Sequence, residues 1–279
     1  MNFNTDASNE LDIWGFKIPE QFLSTNEANY LKDLPEETPD VQWVCDELDK
    51  VWHNLKLNNR KKLSEQNIGE FYSHPVWIVN GIFTSVDPES AAHRQSIAIA
   101  ISKLKAKRVA DFGGGFGELA LKIAQTNPTI EIDVIEPFPS KFGTYRVSSI
   151  PSINMRPNLQ ENYDCIVAQD ILEHVENPIT LAYEICKHLH VGGIAVFANC
   201  FFPVIDCHLP RTFYLRHTFK YVMSTMGMVY IGTVEGTPHA HMFVRKGELK
   251  KRLAFTANVV AKVVGPLVTL AFRIISIRI

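Results

Sequence analysis

The stretch DILEHVENP sets Asp170, Glu173 and His174 at offsets of three and four. On a helix, those offsets bring all three side chains to one face. Two carboxylates and an imidazole so arranged can hold a divalent ion, which would acidify a hydroxyl group. Alternatively, the glutamate caps a turn and the histidine packs beside it. A second histidine, His208, lies in PVIDCHLPRTF. A neutral imidazole with a pKa of about 6.5 suits proton removal, although a loop histidine can equally make a structural hydrogen bond. His208, His174 and Asp170 are therefore the candidate catalytic residues, and Asp170, Glu173 and His174 the candidate metal ligands. His239 and His241 alternate in HAHMFVRKG, which puts them on one face of a strand, in a sheet pair or at the surface.

A glycine corner, DFGGGFGELALKIAQ, precedes this cluster. It lacks the GK[ST] of a phosphate-binding loop. A dinucleotide fingerprint would need glycine where Glu118 stands. The remaining pattern is GxGxG at Gly113, Gly115 and Gly117, with Gly114 between. Its bare backbone can approach a ligand at a helix N-terminus. Asp111 stands just before the corner, where it can hold an amine. Glu136 closes the next strand, where it can accept hydrogen bonds from ribose hydroxyls. An amino acid joined to a nucleoside would meet both.

These residues need a scaffold. RVADF, IEIDVIE, YDCIVAQD and IAVFANCFF read as strands. AAHRQSIAIAISKLK, GELALKIAQTNP, NPITLAYEICKHLH and PRTFYLRHTFKYVMSTMG read as helices. The NPITLAYEICKHLH helix is expected to run to the glycine pair 192–193. MVYIGTVEG and HAHMFVRKG read as an antiparallel pair. Strand–helix alternation predicts an α/β fold with a parallel sheet. Residues 1–90 read as a helical cap, 91–247 as the core domain and 248–279 as a basic amphipathic helix. In the cap, FYSHPVWIVNGIF supplies Tyr72, His74, Trp77 and Asn80 as a lid over the site or as core packing.

In order and spacing, VADFGGGFGELALKIA, VIEP, YDCIVAQDILEHVENP and HVGGIAVFANC resemble a class I S-adenosylmethionine-dependent methyltransferase over roughly 91–247. The resemblance implies a doubly wound, seven-stranded, mostly parallel sheet whose last strand is antiparallel. It implies that S-adenosyl-L-methionine contacts Asp111, Gly113, Gly114, Gly115 and Glu136, with Gln169 and Asp170 at the methionine end. The acid that often reads the adenine amine is missing from MRPNLQENYD, so Asn158 or the Leu159 backbone is expected in its place. The acid-x-x-Glu-His segment is similar to that of methyltransferases that bind Mg2+ there. The stretch from FYSHPVWIVNGIF to HR is similar to methyltransferases of bacterial surface-polysaccharide clusters. The expected reaction is O-methylation of a sugar or another hydroxyl-bearing, small-molecule or lipid-linked acceptor. The alternatives are N- or C-methylation of a small metabolite, a non-methylating reaction of the same cofactor, and a binding module with a vestigial pocket.

With 46% hydrophobic and 21% charged residues, the composition is that of a globular protein, and a net charge of −2 gives no case for nucleic acid. The charge is uneven, however. Residues 1–50 hold twelve Asp/Glu against three Lys/Arg, and residues 245–279 hold eight Lys/Arg against Glu248. The tail is thus expected to meet something acidic: a membrane surface or the chain's own N-terminal segment. Lys251, Asn258, Lys262, Thr269 and Arg273 form one narrow polar stripe on an otherwise apolar helix. That pattern fits an interfacial helix at 250–279, or a helix docked on this domain or on a second subunit as a homodimer. Five cysteines without CxxC pairing point to reduced thiols and a cytoplasmic setting, peripheral to the inner face of the membrane if the tail binds it. The first residues are acidic and polar, so no signal peptide is expected.

Overall fold

The computed structural model describes residues 9–137 and 139–277. Its centre is a seven-stranded sheet of β3 (Arg108–Phe112), β4 (Glu131–Ile135), β5 (Ile153–Arg156), β6 (Tyr163–Gln169), β7 (Leu189–Ala198), β8 (Met228–Val234) and β9 (Thr237–Arg245). The spatial order is β5-β4-β3-β6-β7-β9-β8. β3 to β7 run parallel, and β9 runs antiparallel to both its neighbours, as expected. The order reverses between β3 and β6, which opens a crevice beyond their carboxyl ends.

Alternation along the strands explains the two covered faces. Val109, Val134, Cys165, Val167 and Val196 pack toward α5 (Pro88–Lys103) and α6 (Glu118–Thr126). Ile166, Ala168, Phe197 and Phe243 pack on the other side with α8 (Pro178–Lys187) and α9 (Phe219–Met226). A buried ionic knot ties four parallel strands: the Asp133 carboxylate on β4 accepts from Arg156 at 2.6 Å, Arg108 at 3.2 Å and the Tyr163 hydroxyl at 2.8 Å.

Before the sheet, a hairpin of β1 (Glu10–Ile13) and β2 (Phe16–Pro19) precedes α1 (Thr25–Lys32), α2 (Val41–Asn54), α3 (Glu65–Tyr72) and α4 (Val76–Val86). The reading of residues 1–90 as helix and loop thus missed a strand pair. Its turn, Trp14–Gly15, takes positive φ of 56° and 82°, a conformation that the usual Asn-Gly signal would have announced. Gly81 of α4 lets this cap sit on the glycine corner, because a Cβ there would lie 2.6 Å from the Phe116 ring.

Three local expectations need correction. α8 stops at Lys187 and β7 starts at Leu189, so 192–193 lie inside a strand. Gly193 is needed there because a Cβ would come within 3.0 Å of the His190 and Tyr163 carbonyls. The 210–227 helix is broken into a 3-10 turn, Pro210–Arg216, and α9; the Thr218 hydroxyl bonds back to the Tyr214 carbonyl at the break. Asp170, Glu173 and His174 do not share an α-helical face. Asp170 is left-handed, with φ 53°, and Leu172–His174 is a short 3-10 turn.

The chain's last described element is α10 (Lys251–Ile277). It buries Ala254 and Ala261 against the Pro210–Arg216 turn and α9. A Cβ on Gly265 would lie 2.3 Å from the Tyr214 carbonyl, so the helix can approach this closely only with glycine there. The Tyr214 hydroxyl donates to Asn258.

Asp133→Ala should lower unfolding free energy by about 2–3 kcal/mol in urea melts, since it leaves Arg108, Arg156 and Tyr163 without their shared acceptor. An unchanged midpoint would show the knot to be dispensable.

Candidate active site

The glycine corner follows β3 directly. Gly113 donates its N–H to the Ile135 carbonyl at 2.8 Å and holds φ 74°, which turns the chain sharply off the strand. Gly114 lies over the Asp111 side chain, where a Cβ would be 2.6 Å from its Oδ2. A Cβ on Gly115, by contrast, would meet no protein atom within 4 Å. The corner hands over to α6 at Glu118, whose carboxylate accepts from Ser85 at 2.6 Å and pairs with Arg146. Glu118 thus occupies the place of a fingerprint glycine because it pins the corner to the cap and to α7 (Lys141–Ser148).

Asp111 is 3% exposed, and its Oδ2 has no hydrogen-bond partner among the described residues. Burial pushes its carboxyl up to about 7; a backbone bond from Ala120 and the Arg94 cation oppose this, and Glu136 adds to it. Arg94, on α5, is itself buried and donates to the Thr84 carbonyl. Its guanidinium feels Glu118, Asp111, Asp170 and Asp87 in turn. A buried acid and a buried base thus flank the crevice.

A second cluster lies past β6. Glu173 is fully buried; Oε1 accepts the Cys200 N–H at 2.6 Å, and Oε2 has no partner among the described residues. Burial first, then the Asp170 charge, pushes its carboxyl up to about 8. His174 contacts the Cys207 carbonyl through Nδ1 at 3.2 Å, and His208 contacts the Phe202 carbonyl through Nδ1 at 3.0 Å. In both rings Nδ1 must then carry the hydrogen, which leaves Nε2 as a bare acceptor. The two rings stand 4.8 Å apart at 81°. Burial lowers both pKa values, that of His174 to about 3. One donor atom each from Glu173, His174 and His208 falls within 4.8 Å of the others.

The cap closes over this cluster. Tyr72 and Trp77 stand edge-on to His174, with centroids 6.4 and 6.3 Å away. The Trp77 Nε1 is buried without a partner. The loop carrying His208 is clamped by the cap: Asp206 N–H donates to Asp49 at 2.6 Å, and Asn59 donates to the Asp206 carbonyl at 2.8 Å. Arg211 binds Glu176 and the Asn59 and Lys61 carbonyls.

The expected residues fall as follows. Asp111, Gly113, Gly114 and Gly115 form the crevice corner, and Glu136 directly follows β4. Gln169 ends β6 and donates to Asp170 at 3.2 Å. Asp170 remains solvent-reachable, yet enclosure in the crevice raises its pKa. Asn158 is exposed in the loop after β5, where its carbonyl accepts from Gln160 at 3.3 Å. The close donor set is Glu173, His174 and His208; Asp170 is not in it, contrary to the expected trio. His74 Nδ1 accepts the Val76 N–H, a bond at the start of α4. His239 packs on His93 with centroids 5.0 Å apart, and its charge is felt by Asp170. Arg94 was missed. Its signal was an arginine in register with Ile97, Ala98 and Ile101 on the buried face of α5. A groove of about 1140 Å³ lies between α10 and residues 176–180 and 210–214, with the Glu176–Arg211 pair in its lining.

Residues 89–220 match the family model described as "Methyltransferase domain". No curated protein matches the chain significantly. Among solved structures, a protein of Nostoc punctiforme PCC 73102, provisionally named an O-methyltransferase, superposes with a TM-score of 0.52 at 17% identity, over 78% of this chain and 74% of that one. The mitomycin 7-O-methyltransferase MmcR gives 0.47 at 12% identity, over 74% and 68%. A Burkholderia thailandensis 1,6-didemethyltoxoflavin-N1-methyltransferase, solved with S-adenosylhomocysteine, gives 0.44 at 12%, over 57% and 80%. The fold is that of the methyltransferases, and residues 89–220 match a methyltransferase-domain model.

Because the Asp111 carboxyl rises from 3.8 unfolded to about 7 folded, the native state holds its proton more tightly, and this contribution to stability is lost as pH rises through that window. Asp111→Asn should therefore be the more stable protein without ligand at alkaline pH, by roughly 2–4 kcal/mol. The gap should close as pH falls toward 3.8. Urea melts across that range test it.

Proposed function

We propose that the protein transfers a methyl group from S-adenosyl-L-methionine to a hydroxyl oxygen of a small-molecule acceptor, a sugar being the favoured class. The observation that carries this reading is the orphaned, buried carboxylate of Asp111 beneath a glycine corner, with the Arg94 guanidinium close enough to lower its pKa. A zwitterionic amino acid needs such a pair, an acid for its amine and a base for its carboxylate. Gly113, Gly114 and Gly115 would hold the methionine portion, Glu136 the ribose and Asn158 the adenine edge, with Gln169 and Asp170 on the far wall. When bound, the cofactor supplies a methyl group already activated by the sulfonium.

The protein's own residues have three tasks. Asp111 and Arg94 fix the amino-acid end, and Tyr72 and Trp77 exclude water above His174. His208 accepts the hydroxyl proton at Nε2, the atom that the Phe202 carbonyl leaves bare, while burial keeps the adjoining His174 imidazole neutral. Backbone carbonyls hold both rings, so no rotation is needed at the moment of transfer.

A divalent metal is a second reading, favoured by the convergence of Glu173, His174 and His208 donors. The Glu173 Oε2 has no protein partner, and carbonyl-anchored imidazoles are the usual outer shell of a metal ligand. Two nitrogens and one oxygen suit manganese, iron or zinc better than Mg2+, which prefers oxygen. Such an ion would lower the pKa of the acceptor hydroxyl. The cysteines are all free, and Cys165, Cys186 and Cys207 are buried, which supports a reducing, cytoplasmic setting. The saccharide assignment rests on the resemblance of the segment from FYSHPVWIVNGIF to HR.

Calorimetry with S-adenosylmethionine should give a one-to-one isotherm that Asp111→Asn and Arg94→Ala each abolish; no heat with the native chain would overturn the reading. His208→Ala should lower kcat by about 10²–10⁴-fold with cofactor affinity unchanged. Methylation of a nitrogen or carbon acceptor that His208→Ala and His174→Ala both leave intact, with no turnover of hydroxyl acceptors, would favour the alternative acceptor class. Manganese or zinc should raise the melting temperature of the native chain but not of Glu173→Gln if the metal reading holds.

A further inference from the structure

The helix α10 presents an apolar face that nothing among the described residues covers. Leu253, Val260, Val263, Val264, Leu267 and Ile274 are 40–68% exposed, and they recur on one arc of the helix. The opposite arc is occupied: Ala254, Ala261 and Gly265 pack on the Pro210–Arg216 turn and α9. Between the two runs the polar edge of Asn258, Lys262 and Thr269, which lines the groove beside Pro210 and Tyr214.

Charge decides among occupants. Lys246, Lys250, Lys251 and Arg252 cluster at the N-terminal end of the helix and Lys262 lies on its polar edge, with Glu248 the sole acid in 245–277. Lys251 reaches Glu184 at only 3.9 Å. Among the described residues, the main packing partners of α10 are the Pro210–Arg216 turn, α9 and α8, and none of them comes from residues 9–50. A second copy laid along the same face would bring more cations and no acids. An anionic lipid surface offers both a place for the aliphatic side chains and a countercharge for the lysines and arginines. The stretch Lys251–Phe272 is long and apolar enough to cross a bilayer by length and composition. Its docked face and Lys262 at mid-length instead favour a helix lying in the interface plane.

We propose that α10 seats the enzyme on a membrane surface rich in anionic phospholipid, with the Leu253–Ile274 arc in the headgroup–acyl boundary and the basic N-terminal end of the helix on the headgroups. This seat is independent of the methyl-transfer reading. The groove between α10 and the Pro210–Arg216 turn then opens beside the lipid.

The experiment is cosedimentation of the full chain with vesicles of phosphatidylcholine alone and of phosphatidylcholine with phosphatidylglycerol. Binding should need phosphatidylglycerol and should weaken with added salt. Val263→Glu/Leu267→Glu should reduce the partition coefficient at least about tenfold, and Lys250→Glu/Arg252→Glu should reduce it by a similar factor. Thermal melts check that the variants fold; if either does not, the lipid and salt dependence of the native chain decides. No binding to phosphatidylglycerol vesicles overturns the proposal. So does equal binding to both vesicle types. A native dimer in sedimentation velocity that Val263→Glu/Leu267→Glu converts to monomer, without any vesicle binding, assigns the face to a second copy instead.

Discussion

The site rests on keeping ionisable groups out of water with part of their hydrogen-bonding capacity unmet. Asp111 and Glu173 are buried, and each has one carboxylate oxygen that no group among the described residues satisfies. Leaving a charge in such a place is costly, so their protons are held more tightly than in water. The fold tolerates this near the carboxyl ends of two neighbouring parallel strands, Asp111 at the end of β3 and Glu173 four residues past β6, where the sheet order reverses. Elsewhere the interior obeys the usual rule: Asp133 is just as buried and fully met by three donors. The contrast between Asp133 and Asp111, on adjacent strands, separates what holds the sheet together from what waits for a ligand.

The cap extends the same logic. Its aromatic side chains do little for the strands, but they wall off His174 and stand over Glu173. Glu118 joins the cap to the glycine corner through Ser85, and Phe116 fills the space that Gly81 leaves. The burial that shifts Asp111, Glu173 and His174 therefore comes from both halves of the protein, since neither the sheet nor the cap alone would enclose them.

Much of the sheet was readable because its signals are local. RVADF followed by glycines, then IEIDVIE and YDCIVAQD, carries strand length, apolar content and a backbone turn within a few residues. The antiparallel strand pair near the C-terminus was legible for the same reason. The hairpin at Trp14–Gly15 was not, because a tryptophan in a left-handed turn is no familiar signal. The grouping of His208 with Glu173 and His174 depends on how the loop after β7 folds back, and no spacing encodes that. Offsets of three and four placed Asp170 on a helix that the left-handed turn at Asp170 abolishes. Arg94 was hidden in plain view, a charge inside an apolar stripe whose acidic neighbours come from distant segments.

The clamp around Asp206 and Arg211 has a kinetic consequence. Asp49, Asn59 and the Lys61 carbonyl on one side, and the loop with His208 on the other, are joined by several directional bonds. A small cargo can pass the aromatic wall by ring rotation alone, but a bulky one requires these bonds to break together. Each opening that admits a large molecule would also unseat His208, so the gate and the proton acceptor share one latch, and turnover on large cargo would be paced by the latch rather than by bond making.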